Sequence, residues 1–90
     1  MLNPIYSTQF KKDYKRCQKR NYRMQNLISV MSDLEEEKPL SKKHREHPLQ
    51  GNYANCLECH VEPDWLLIYQ IDKEQNDLYF VRTGTHSDLF

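Results

Sequence analysis

Ninety residues support one domain built on one hydrophobic core, since domains run on the order of 100 residues. With 38% hydrophobic and 29% charged residues, the composition is that of a folded globular chain and excludes a disordered one. The longest apolar run, Trp65 to Tyr69, is five residues, far short of the roughly 20 that span a bilayer, and three cysteines cannot complete a disulfide framework.

Met1-Leu2-Asn3-Pro4 has neither the charged nor the apolar region of a secretory signal, so a cytoplasmic protein with reduced thiols is expected. Net charge is zero, but the signs are separated along the chain: residues 1–50 hold 11 bases and six acids, residues 51–90 two and seven. The excess concentrates in Lys11, Lys12, Lys15, Arg16, Lys19, Arg20 and Arg23, among which Asp13 is the only acid. Such a stretch attracts a phosphate backbone or an acidic partner, although a solvated helix face often has the same composition.

Ser7 or Thr8 can cap a helix whose apolar side is Phe10, Tyr14 and Cys17, which predicts a helix over about residues 8–20. After a break near Asn21-Tyr22, Met24, Leu27, Ile28, Met31 and Leu34 form an apolar stripe and predict a second helix that ends before Pro39. Residues 38–52 are polar and contain Pro39, Pro48 and Gly51, the mark of a long connection, and long connections often carry function. Tyr53 to Val61, Trp65 to Ile71 and Leu78 to Thr83 read as three strands of an antiparallel meander, and residues 2–6 offer an edge strand. The order predicts a two-layer α+β fold, a single domain over residues 1–90 with two N-terminal helices packed on a small, mainly antiparallel sheet.

Cys56-Leu57-Glu58-Cys59-His60 matches the spacing of c-type haem attachment. In a strand, however, Cys56 and Cys59 point to opposite faces and cannot share one cofactor edge. His44, His47, Cys56 and Cys59 supply four zinc-type ligands, so a small zinc-stabilised adaptor is a rival reading that metal analysis would settle. The preferred reading needs neither metal nor cofactor. His47 lies in the long connection, His60 near a strand end beside Asp64 and Trp65, and His86 just past the last strand, so a meander can bring these ends together. Imidazoles, a carboxylate, the Arg82 guanidinium and the rings of Trp65 and Phe90 are the parts of a metal-free ribonuclease. A base takes the 2′-hydroxyl proton, an acid protonates the leaving 5′-oxygen, a cation offsets the crowded phosphorane, and aromatic plates splay the strand.

Glu46-His47-Pro48-Leu49-Gln50-Gly51, His60-Val61-Glu62-Pro63-Asp64-Trp65-Leu66-Leu67-Ile68-Tyr69 and Arg82-Thr83-Gly84-Thr85-His86-Ser87-Asp88-Leu89-Phe90 together resemble the YafQ branch of the RelE/ParE superfamily. The resemblance covers the whole chain and includes the terminal Phe90. It implies the RelE-like fold and a type II toxin, an endoribonuclease that cuts messenger RNA in the ribosomal A site. It further implies a toxin that is monomeric alone and is silenced by a cognate antitoxin in a larger complex. Carried over by position, His86 is the principal acid/base, His60 and Asp64 deprotonate or orient the 2′-hydroxyl, and His47 supports them. Arg82 holds phosphate, and Trp65 and Phe90 stack bases. Lys11, Lys12, Lys15, Arg16 and Lys19 become a surface for ribosomal RNA. Leu57 stands where relatives often carry Arg, which implies one missing phosphate contact. A gyrase-directed toxin of the same superfamily is the nearest alternative, and the three matched histidines argue against it.

Overall fold

The structure, a computed structural model, describes residues 1–90. Helix α1 (Thr8–Lys19) starts at Ser7, whose side-chain oxygen accepts the Phe10 amide at 2.9 Å. The same hydroxyl donates to the Val81 carbonyl at 2.8 Å, which ties the helix start to the sheet. Asn21, at φ 59°, adopts the left-handed conformation that short polar residues tolerate and separates α1 from α2 (Met24–Glu35). The buried stripe of α2 is Leu27, Val30, Met31 and Leu34. Ile28, expected in that stripe, is exposed, because Val30 holds the inward i, i+3, i+4, i+7 position in its place.

Five strands form one sheet: β1 (Asn3–Tyr6), β2 (His47–Pro48), β3 (Leu57–Glu62), β4 (Trp65–Asp72) and β5 (Asp77–Gly84), in the order β1-β5-β4-β3-β2. Only β1 runs parallel to its neighbour; the other pairings are antiparallel. This is the predicted α+β layering, with three local corrections. The strand expected from Tyr53 starts only at Leu57, because Gly51–Tyr53 forms a 3-10 turn and Asn55 is left-handed. The connection after α2 contains another 3-10 turn at Lys42–His44 and the two-residue strand β2. A short helix, α3 (His86–Leu89), follows β5.

The two-residue period of the strands sorts their side chains onto two faces. One face presents Cys59, Val61, Trp65, Leu67, Tyr69, Leu78 and Phe80 to the helices, where they pack with Phe10, Cys17, Leu27 and the α2 stripe. The other presents Leu66 and Ile68 to a smaller apolar cluster with Cys56 and Leu89, flanked by Leu49 and Tyr53. Strand β4 is therefore covered on both sides, which explains its unbroken apolar run. Cys56 and Cys59 belong to opposite faces. No helix is long and apolar enough to cross a membrane.

Candidate active site

Glu58 and His60 alternate with Leu57, Cys59 and Val61, and so emerge on the sheet face away from α1 and α2. Strand β2 pairs His47 with Glu58. The preceding Glu46 turns the other way and accepts a hydrogen bond from the Tyr69 hydroxyl; burial, then this carboxylate, pushes the Tyr69 phenol above its ordinary range. The connection is also pinned at His44, whose Nδ1 lies 2.7 Å from the His60 carbonyl.

Three imidazoles from separate stretches meet at this end of the sheet. The His60 ring centroid lies 6.2 Å from that of His47 and 5.8 Å from that of His86. His86 opens α3, where Thr85 and Asp88 form a reciprocal capping box. Asp64, in the β3–β4 turn, holds His86 Nδ1 at 2.6 Å and its backbone amide at 3.1 Å. These hydrogen bonds lower the Asp64 carboxyl below its usual range. Glu58 stands on the other side of His60, its Oε1 3.7 Å from His60 Nε2 and 3.3 Å from His47 Nε2. It is 4% exposed. Glu58 is not among the residues expected from sequence, although its alternation with His60 along β3 is the signal that marks it. Beside His60, Arg23, Asn26, Lys43, His44 and Arg45 line a cleft of about 500 Å³, whose basic walls suit an anionic chain.

Arg82 is placed differently from the expectation. In register across the sheet, Glu58 pairs with Ile68 and Ile68 with Arg82, so Arg82 is two strands from Glu58, about 10 Å at the backbone. Its Nε and Nη2 donate to Asp13 at 2.7 and 3.2 Å. That contact raises the Arg82 pKa above the ordinary arginine range. Asp13 is fully buried and also accepts from the Thr83 amide and Gln9. Arg16, expected on an RNA-facing surface, instead turns inward: Nη2 lies 3.1 Å from Asp13, 3.6 Å from Asp88 and 3.3 Å from the Thr83 carbonyl. Arg20 closes the network with a bidentate contact to Asp88 at 2.7 and 3.0 Å. Gly84, at φ 155°, passes so close that a Cβ there would lie 2.8 Å from both Arg16 Nη2 and Asp88 Oδ2. This network seats the end of β5, and with it His86.

The two aromatic candidates also part company. Trp65 is 3% exposed, packs 4.9 Å from Tyr22 and donates its indole N–H to Thr83 Oγ1 at 3.0 Å. It is a core residue and offers no open plate for a base, because it falls on the helix-facing side of β4. Phe90 is 65% exposed, edge-on to Tyr53 at 5.7 Å. Lys11, Lys12, Lys15 and Lys19 are exposed; Lys11 and Lys15 edge a groove between α1 and α2 with Tyr6, Phe10 and Tyr14. Leu57 packs against the helix-side core, so the position expected to lack a phosphate contact faces away from Glu58 and His60.

Comparison with known families matches residues 2–90 to a bacterial toxin of type II toxin-antitoxin system, YafQ. The chain belongs to the YafQ family of type II toxins. It is 44% identical over 86 residues to the mRNA interferase toxin YafQ of Escherichia coli K12, covering 94% of this chain and 91% of that protein. Among solved structures, a metal-bound toxin from Helicobacter pylori superposes with a TM-score of 0.93 at 43% identity, both chains fully covered. YafQ in the E. coli DinJ-YafQ complex superposes with a TM-score of 0.90 at 42% identity, over 100% of this chain and 99% of that one. Membership in the YafQ family makes this chain the toxin half of a toxin–antitoxin pair, the class that the resemblance implied.

Proposed function

We propose that this YafQ-family toxin is an endoribonuclease that cuts messenger RNA on the ribosome through the substrate's own 2′-hydroxyl. The observation that carries the reading is two imidazole–carboxylate pairs side by side, His86 with Asp64 and His60 with Glu58. The 2′-hydroxyl attacks phosphorus, the P–O5′ bond breaks, and the products are a 2′,3′-cyclic phosphate and a 5′-hydroxyl. The His60–Glu58 pair takes the 2′-hydroxyl proton, and His86 delivers a proton to the departing O5′. Asp64 fixes the His86 tautomer by accepting from Nδ1, which leaves Nε2 to face the reacting atoms. His47 closes the site on the β2 side. Arg23, Lys43 and Arg45 guide the backbone, Arg82 meets a flanking phosphate from its seat on Asp13, and Phe90 receives a base. Lys11, Lys12, Lys15 and Lys19 face ribosomal RNA, an electrostatic contact that weakens with salt.

An antitoxin is the partner class, as DinJ is for E. coli YafQ, and the proposed setting is the cytoplasm. Induced expression with and without the cognate antitoxin, followed by mapping of mRNA 5′ ends, tests the whole reading. In-frame cuts with growth arrest, both relieved by the antitoxin, are the expected result. Arrest without new 5′ ends would transfer the toxin to another target.

A further inference from the structure

The cleft beside His60 carries charge that the rest of the fold does not use. It opens between the start of α2 and the Lys42–His44 turn, with His60, Val61 and Glu62 of β3 as its third wall. Arg23, Lys43 and Arg45 line it, and none of them belongs to an ion pair. Arg16, Arg20 and Arg82, by contrast, are committed to Asp13 or Asp88. The carboxylate on the cleft, Glu62, accepts a hydrogen bond from Asn26 at 3.3 Å, so three cations face one acid. A concave wall with an excess of one sign concentrates ions of the other. Its volume of about 500 Å³ lies within the roughly 300–1,000 Å³ of pockets that hold small ligands.

The cleft is fastened to the reacting groups. A carbonyl can only accept, so His44 Nδ1 donates to the His60 carbonyl at 2.7 Å and ties the Lys42–His44 turn to β3. Arg45 then takes φ 47°, a left-handed conformation that long side chains seldom adopt. Its carbonyl accepts His47 Nδ1 at 2.8 Å. The backbone that presents Lys43 and Arg45 to the cleft therefore also holds the carbonyls of His60 and Arg45 against the neighbouring rings.

Position along the row of imidazoles gives the cleft a direction. His60 lines it and His86 does not, although the two rings are 5.8 Å apart. Phe90 belongs to the His86 side, its amide donating to the His86 carbonyl at 2.9 Å. The 2′-hydroxyl whose proton goes to His60 is on the nucleotide 5′ of the broken bond, and the O5′ protonated by His86 is on the nucleotide 3′ of it. We propose that the Arg23–Lys43–Arg45 cleft binds the phosphates of the RNA strand on the 5′ side of the scissile bond, while Phe90 takes the base on the 3′ side. This rests on the nuclease reading above, because it sets the direction in which the message crosses that same site.

The test measures binding of a short RNA, made uncleavable by one 2′-deoxynucleotide at the mapped cut position, to the purified full-length chain by fluorescence anisotropy over a range of salt. In Arg23→Gln/Arg45→Gln the slope of log affinity against log salt should become shallower by about 1.4, the share of two cations on a single strand. Lys73→Gln, an exposed cation in the β4–β5 turn, should leave the slope unchanged, and circular dichroism confirms that each variant is folded. Neutral methylphosphonates at the two positions 5′ of the cut should weaken wild-type binding about 10-fold and the double variant less than about 2-fold. The same change 3′ of the cut should weaken both proteins equally. An unaltered salt slope, or no binding by the wild-type chain, would overturn the cleft as an RNA site. Equal losses in both proteins from the 5′ change, or coupling to the 3′ change instead, would overturn the direction. A salt slope that falls as expected in a chain that cuts no message would keep the cleft and refute the nuclease reading, and the strand direction with it.

Discussion

Asp64 Oδ1 accepts both the Nδ1 hydrogen of His86, at 2.6 Å, and the His86 backbone amide, at 3.1 Å, so one carboxylate fixes the ring and the start of the helix that carries it. Replacing Asp64 with Asn keeps the shape but loses control of the tautomer. RNA cleavage should fall about 10-fold or more in Asp64→Asn, and by roughly 10²–10⁴ in His86→Gln, the range of a lost general acid. Single-turnover cleavage rates check both, and equal activity in Asp64→Asn and wild type would remove the carboxylate from the mechanism.

Asp13 is a buried anion satisfied by Arg82, Arg16 and the Thr83 amide. Removing it leaves the Arg82 guanidinium partly buried without a counter-charge and Arg16 with only its 3.6 Å contact to Asp88. Asp13→Ala should cost about 3–5 kcal/mol of stability, as for other broken buried pairs, and denaturant unfolding measures it. A loss under 1 kcal/mol would mean that Arg82 and Arg16 find other partners.

Trp65 and Phe90 make a contrasting pair. Phe90→Ala should leave the denaturation midpoint within error and reduce cleavage roughly 5- to 100-fold, the worth of one base stacked on a ring. Trp65→Phe should do the reverse, lowering stability by the lost Thr83 hydrogen bond while sparing the chemistry. Parallel melts and cleavage assays separate the two.

Acid sensitivity should centre on Asp88. Arg20 holds its carboxyl well below the usual range, helped by the Thr85 backbone and side chain. The folded value is depressed, so the stabilisation is complete above the unfolded carboxylate range near pH 4 and is lost as pH falls towards the folded value. Melting temperature should therefore drop below about pH 4, and Asp88→Asn should flatten that drop. An unchanged acid slope in the variant would assign it to other carboxylates. Gly84→Ala, which forces a Cβ into the same ion cluster, should destabilise the chain and displace His86.

Much of the fold follows from periodicity. The helix stripes and the β4 run announce themselves because each buries a continuous apolar surface, and the predicted helix over 8–20 matches α1 to within a residue. Strand β2 and helix α3 escape the reading because two and four residues carry no period. The meeting of His47, His60 and His86 was legible from their places at strand and loop ends. Glu58 was obscured by the flanking cysteines, whose spacing draws attention to metal motifs while the alternation that pairs Glu58 with His60 goes unused. The inward turn of Arg16 and the seating of Arg82 depend on Asp13, and a single acid in a basic run gives no sign that it is buried. Trp65 misleads for a related reason: its neighbour Asp64 reaches the site from the β3–β4 turn, but Trp65 opens β4 on the helix-facing side of the sheet.

The most direct test of the proposed chemistry is cleavage of a ribosome-bound message carrying a single 2′-deoxynucleotide at the scissile position. The account predicts cutting of the all-ribose message to a 2′,3′-cyclic phosphate and no cutting of the 2′-deoxy message. Equal cutting of both would contradict it, because the attacking group would then have to come from somewhere other than the RNA.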